Sequence, residues 1–167
     1  LMSAHCSQWG HWRMAICAYA HTYAWNKIYR RRLFDTVRFP VGRLFEDVHT
    51  LPPLMQSAKV IATTPEGFYH YTDNPDGITR KATGRELQDL LDAHLAYIGE
   101  GNEVDAAYYA HVLNIQLSVY DLTGKEPQLP RRRFLGSLKL LLLQLLGMKR
   151  LCQLIHLTHQ LMGRNRS

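Results

Sequence analysis

The stretch Trp25 to Pro52, WNKIYRRRLFDTVRFPVGRLFEDVHTLP, decides the reading of this chain. Ala24 to Tyr29 opens it with the β-favouring side chains Trp25, Ile28 and Tyr29, and reads as a short buried strand. Arg30 to Val37 reads as a short helix. Phe39-Pro40-Val41-Gly42 reads as a turn, since proline fixes φ and glycine permits positive φ. Glu46-Asp47 follows between the apolar neighbours Leu44-Phe45 and Val48, at the start of a helix that places Leu51, Leu54, Met55 and Ala58 at helical spacing. Pro52 and Pro53 are tolerated only in a first turn, which predicts a helix start near Thr50.

A carboxylate at a helix start faces backbone N–H groups and the positive end of the helix dipole, which hold it ionised. An ionised carboxylate can take a proton from a sugar hydroxyl. Taken alone, the pair reads more simply as a helix cap through Asp47, because caps far outnumber catalytic bases.

Downstream, Lys59 to Thr64 reads as a strand, Pro65-Glu66-Gly67 as a turn and Phe68 to Thr72 as the returning strand of a hairpin. Asn74-Pro75-Asp76-Gly77 is a further turn. Thr83 with Glu86 three residues later is a capping box. Leu87, Leu90, Leu91, Leu95 and Ile98 form the apolar stripe of the helix it opens. Val104, Tyr108, Val112, Ile115 and Val119 form the stripe of the next. Gly124, Pro127 and Pro130 close that body. Two leucine-rich helical segments, about 132–146 and 148–162, follow with a break at Gly147.

Several elements of the quoted stretch occur in the order found in family-2 glycosyltransferases. They are Trp25-Asn26-Lys27 with Ile28-Tyr29-Arg30, Arg38-Phe39-Pro40, Gly42-Arg43 and Glu46-Asp47-Val48. Gly67-Phe68-Tyr69-His70-Tyr71 and Gly77-Ile78-Thr79 come later in the same order. The chain resembles the acceptor-side half of such an enzyme, most strongly over 24–81 and more weakly to 122. Within the family it is similar to bacterial enzymes of capsule, lipopolysaccharide or exopolysaccharide assembly. The resemblance implies an α/β fold: the acceptor-side half of a GT-A, Rossmann-like domain, followed by a mainly helical C-terminal region. It divides the chain into 1–126 and a basic, leucine-rich tail, 127–167.

The chemistry implied by the resemblance is transfer of a sugar from a nucleotide-sugar donor to a saccharide or lipid-linked acceptor, usually with inversion. Asp47 is then the general base and Glu46 its supporting neighbour. Trp25, Asn26 and Arg43 shape the acceptor side, and Tyr69, His70 and Tyr71 lie near the donor diphosphate. Thr72 stands where many members have arginine, and Gly77 where many have serine. Arg80 or Lys81 is the substitute charge for the leaving diphosphate, as a point charge grips phosphate less specifically than an arginine fork. The complete enzyme is expected to use a divalent metal, Mg or Mn, held by an Asp-x-Asp motif. That motif does not occur in this sequence. His70 is a candidate metal ligand, and a histidine on the exposed face of a strand is the plainer reading. The nucleotide-gripping half is expected upstream of Leu1, and the isolated chain is expected to be inactive.

Composition sets the remaining bounds. At 167 residues and 46% hydrophobic, the chain is one packed domain, or one with an appendage. Cys6, Cys17 and Cys152 form no disulfide framework, and a reducing, cytoplasmic setting is expected. Cys6, His11, Cys17 and His21 fit no common zinc-finger spacing. The net charge of +6 is unevenly placed: no acidic residue follows Glu126, while eight bases do. With its leucines, the segment 131–166 is expected to meet a membrane surface, placing the protein peripherally on the inner face of the plasma membrane. Equally open is packing of those leucines onto the body as a helical hairpin. Nucleic acid is not an expected partner, because aromatic residues do not interleave with the basic ones in the tail. The longest apolar stretch, Phe134 to Leu146, is shorter than the roughly 20 residues that span a bilayer. The competing reading is a non-catalytic helical module that binds a membrane or a protein partner.

Overall fold

The α-helix that carries Glu46-Asp47, α1 (Glu46–Ser57), starts at the pair itself. The structure, a computed structural model, describes residues 2–5, 23–63, 69, 70, 72, 83–101, 104–134 and 137–163. It divides into two compact units, 1–81 and 82–167.

In the first unit, Phe45 sits before α1 in the left-handed conformation, φ 56° and ψ 42°. Its carbonyl accepts the N–H groups of Val48 at 3.0 Å and His49 at 3.4 Å, which closes the first turn. Thr50 Oγ1 donates to the Glu46 carbonyl at 2.6 Å. The helix therefore begins four residues before the predicted start, and Pro52 and Pro53 fall in its second turn. Neither proline can donate to the carbonyl four residues back, a cost of about 3 kcal/mol or more for each. Val48, Leu51, Leu54 and Met55 line the buried face. Each fully buried side chain of this size contributes about 1.5–3 kcal/mol, enough to offset the interrupted ladder.

Upstream of α1 the expected strand over 24–29 is absent. Trp25 and Asn26 lie in a turn, and Ile28 is 97% exposed. Trp25 and Tyr29 pack on the rings of Tyr69 and Phe34 instead of on a neighbouring strand, and Ile28 stays in solvent, so propensity is overridden. The expected helix over 30–37 shortens to a 3₁₀ turn, Arg31–Phe34, which packs against α1. Phe34 lies between Tyr29 and Phe39, with ring centroids 5.6 and 5.9 Å away. The turn predicted at 39–42 is present, with Gly42 at φ 73°.

Strand β1 (Met2–His5) pairs antiparallel with β2 (Val60–Thr63) in the register Met2 to Thr63 and His5 to Val60. Of the predicted returning strand, 68–72, the described residues Tyr69, His70 and Thr72 hold no strand, and Phe68 and Tyr71 lie outside the described residues. The predicted turns at 65–67 and 74–77 lie outside the described residues.

The second unit is helical: α2 (Gly84–Gly99), α3 (Ala106–Thr123), α4 (Leu138–Leu146) and α5 (Met148–Leu161). The capping box at Thr83 and Glu86 is formed, and the Thr83 N–H donates to Glu86 Oε2 at 2.9 Å. A Cβ at Gly84 would lie 2.5 Å from the Thr123 methyl, so the start of α2 packs tightly on the end of α3. The α3 stripe Val104, Tyr108, Val112, Ile115 and Val119 is buried throughout. On α2, Leu91 and Ile98 reach the core, joined by Ala93, Tyr97 and His94. His94 Nδ1 lies 2.9 Å from the Tyr108 hydroxyl.

Past Gly124 the chain is strapped back across α3. The buried Gln116 Oε1 accepts the N–H groups of Gln128 at 2.8 Å and Leu129 at 3.0 Å, and the Tyr109 hydroxyl donates to the Pro130 carbonyl at 2.9 Å. Ser137 caps α4, and Gly147, at φ 77°, breaks it from α5 as predicted. Leu140, Leu143, Leu151 and Cys152 point into the core. One carboxylate ties α5 to α3: Asp121 accepts from His156 Nδ1 at 2.6 Å and His159 Nδ1 at 2.8 Å.

Two outcomes test this packing. Pro53→Ala restores a helix N–H and is expected to stabilise the chain by about 1–3 kcal/mol in urea unfolding. A destabilised variant would place the helix start after the prolines. For Asp121, burial raises the carboxyl pKa but the bonds from His159 and His156 outweigh it, leaving it below 3.8. A lowered carboxylate contributes stability above its ordinary pKa and loses it as pH falls through the lowered value. The wild-type chain is therefore expected to lose amide protection in α5 as pH drops below about 3.8. Asp121→Asn should lack most of that acid-dependent step in hydrogen exchange.

Candidate active site

The left-handed Phe45 is the only non-glycine residue with positive φ among the described residues. That conformation costs on the order of 1–3 kcal/mol. It turns the chain so that Glu46 and Asp47 occupy the first two positions of α1. Glu46 is exposed and Asp47 half-buried. Asp47 Oδ1 accepts the Val48 N–H at 2.8 Å. The residue at the cap position is Phe45, so Asp47 is not the helix cap, although it does take up one N–H of the first turn.

Burial decides the protonation of this carboxyl. Loss of solvent pushes the Asp47 pKa up from 3.8, the neighbouring Glu46 charge pushes it further, and the backbone N–H bonds and Lys27 pull it down without prevailing. The N–H groups at the helix start act in the expected direction, and desolvation outweighs them. The result is a carboxylate more basic than an exposed one.

Two further groups feel the same charge. Burial lowers the Lys27 pKa to about 8, against an opposing pull from Asp47. Burial raises the Tyr29 hydroxyl to about 12, and Asp47 adds to the rise. Lys27 Nζ also donates to the Tyr23 carbonyl at 2.8 Å and to Asn26 Oδ1 at 2.5 Å. Sequence reasoning named Lys27 and Tyr29 only as members of a run. Their role around Asp47 had one signal, which is that both lie on one short segment beside Trp25 and Asn26.

Trp25 and Tyr69, far apart in sequence, meet with ring centroids 4.8 Å apart and planes tilted by 30°, and Tyr23 stacks on Trp25 at 5.2 Å. Trp25 is 40% and Tyr69 56% exposed, so this aromatic group is partly open to solvent. Arg43 and His70 are exposed. Tyr71, Arg80 and Lys81 lie outside the described residues, as do Cys6, His11, Cys17 and His21. Among the described residues no group of three or more His, Cys, Asp or Glu side chains could hold a metal ion.

The chain is similar to the glycosyltransferase GlyA of Streptococcus pneumoniae serotype 4 (strain ATCC BAA-334 / TIGR4). The two are 27% identical over 107 residues, which cover 60% of this chain and 15% of that protein. This chain thus matches only a small part of its relative's length. No protein-family profile matches the chain, and no solved structure matches it. The similarity supports a glycosyltransferase-like role.

Lys27 offers a direct test of the electrostatics. Amine labelling followed across pH by mass spectrometry is expected to give Lys27 a midpoint of about 8. Because the Asp47 charge raises that value, Asp47→Asn should move the midpoint lower. An unchanged midpoint would separate Lys27 from Asp47.

Proposed function

We propose that residues 1–81 form the acceptor side of a GT-A glycosyltransferase domain, with Asp47 as its general base. In this reading Asp47 takes the proton from an acceptor hydroxyl. The freed oxygen then displaces the nucleoside diphosphate from the anomeric carbon of a nucleotide-sugar with inversion. The observation that carries the proposal is the half-buried Asp47, its basicity raised by desolvation, at the start of α1 in a chain similar to a glycosyltransferase. A positioned base contributes roughly 10²–10⁴-fold, and more when its pKa lies nearer the working pH.

The other residues take supporting roles. Glu46 raises the basicity of Asp47 through its own charge. Lys27 and Tyr29 fix the field around the carboxylate. Trp25, beside Tyr69, is a platform for an acceptor sugar ring, and Asn26 and Arg43 supply polar contacts at its margin. His70, Tyr71, Arg80 and Lys81 belong to the donor side. A divalent metal would neutralise the leaving diphosphate; its ligands are proposed to lie outside these residues. The acceptor is a saccharide or lipid-linked saccharide of cell-surface polysaccharide synthesis, used on the cytoplasmic face of the plasma membrane.

The test is an assay of the longest open reading frame containing residues 1–167 against a panel of nucleotide-sugars, reading diphosphate release. Asp47→Asn is expected to lower kcat by roughly 10³-fold. Trp25→Ala should act mainly on the KM for acceptor. The acid limb of the kcat/KM profile should lie above the ordinary aspartate value, because the Asp47 pKa is raised. Near-normal turnover by Asp47→Asn would sink the proposal.

A further inference from the structure

The outer face of α4 carries only leucine. Leu138, Leu141 and Leu145 are 71%, 48% and 72% exposed, on the side opposite the buried Leu140 and Leu143. The two polar side chains of the helix are used on the protein instead. Lys139 Nζ donates to Asn114 Oδ1 on α3 at 2.5 Å, and Gln144 Nε2 donates to the Phe134 carbonyl at 2.5 Å. Both the inward and the outward side of α4 are thus leucine, where a surface helix usually turns polar side chains to solvent. On α5, which packs against α4, Leu154, Leu157 and Leu161 are exposed on the side away from the buried Leu151 and Cys152. Arg150 shares that outer side. Core packing accounts for Leu140, Leu143 and Leu151 and leaves the outward leucines unexplained.

Charge selects what covers them. Residues 127–167 contain eight bases and no acid. Among the described ones Arg131, Arg133, Lys149 and Arg150 are exposed. Two copies of this tail placed face to face would bring like charges together, which disfavours self-association. An anionic lipid surface complements both features. At 9 and 14 residues, α4 and α5 are too short to cross a bilayer, and no helix among the described residues is long and apolar enough to do so. Short apolar helices with basic margins lie in the interface plane.

We propose that α4 and α5 form a platform that seats the chain on an anionic lipid bilayer. Leu138, Leu141 and Leu145 enter the acyl boundary, and Arg133 and Arg150 meet lipid phosphates, while Arg131 donates to the Gln144 carbonyl of α4. The inference stands on the second unit alone and does not depend on sugar transfer.

The experiment is sedimentation of the full 167-residue chain with vesicles of phosphatidylcholine, with and without about 30 mol% phosphatidylglycerol. The chain is expected to pellet with the anionic vesicles at about 0.1 M salt and to stay in solution with the neutral ones. Leu141→Glu with Leu145→Glu should reduce the bound fraction roughly tenfold or more, with an unchanged circular dichroism spectrum because both sites face outward. If that pair unfolds the chain, Leu145→Gln alone carries the test, with a loss of roughly threefold or more expected. Arg133→Gln with Arg150→Gln should weaken binding and flatten its dependence on salt. Failure of the wild-type chain to pellet with anionic vesicles overturns the proposal, as does binding that survives the leucine variants. A dimer in light scattering that those variants dissolve, without vesicle binding, overturns it in favour of a second copy.

Discussion

Desolvation of one carboxylate, Asp47, sets the character of the first unit. An aspartate at the start of a helix is ordinarily stabilised in its charged form by the N–H groups it faces. Here the Val48 N–H is in place at 2.8 Å, and the carboxyl is nonetheless shifted upward because burial costs more than that bond returns. The geometry behind this begins at Phe45. Its left-handed backbone turns Glu46 and Asp47 into the first turn of α1. Val48, Leu51, Leu54 and Met55 then anchor that helix by its buried face. A strained residue, an interrupted helix and a half-buried charge each carry a cost, and the apolar face of α1 is what offsets all three.

The second unit is organised by polar groups that fix where apolar ones point. Gln116 and Tyr109 strap residues 128–130 across α3, and Asp121 joins α3 to α5 through two histidines. Lys139 and Gln144 turn toward the protein for the same kind of reason, since each finds an oxygen there. Once these bonds are made, the rotation of α4 is set, and its remaining leucines have only the outside to face. The exposed leucine stripe is thus a consequence of polar satisfaction elsewhere on the same helix.

What the sequence made legible was local and periodic. The Thr83 capping box, the α3 stripe, the break at Gly147 and the turn at Gly42 depend on residues within a few positions of one another, and each is found. What it concealed depends on contacts between distant segments or on a rare backbone state. Residues 24–29 have β-favouring side chains, but Ile28 faces solvent, and Trp25 and Tyr29 pack on rings of other segments instead of on a neighbouring strand. The partner of β2 is MSAH, residues 2–5, a short alternating run without the β-branched or aromatic side chains that mark a strand. Nothing in a phenylalanine announces positive φ, so the start of α1 was misplaced toward the prolines. At the site, Glu46 and Asp47 were visible from their place beside a helical pattern. The contact of Trp25 with Tyr69 and the shared field of Lys27, Tyr29 and Asp47 are tertiary facts.

The shifts around Asp47 also limit what the site can do by itself. Lys27 and Asp47 are both moved toward their neutral forms, which is what two partly desolvated groups of opposite sign do when their mutual attraction is smaller than the cost of burial. A tightly paired ammonium would pull the carboxylate pKa down and weaken it as a base. A loosely coupled one leaves the carboxylate basic while still tempering its charge. The same segment, residues 23–29, belongs to no regular helix or strand and carries both Trp25, whose ring lies 4.8 Å from that of Tyr69, and Lys27 and Tyr29, whose titration feels the Asp47 charge.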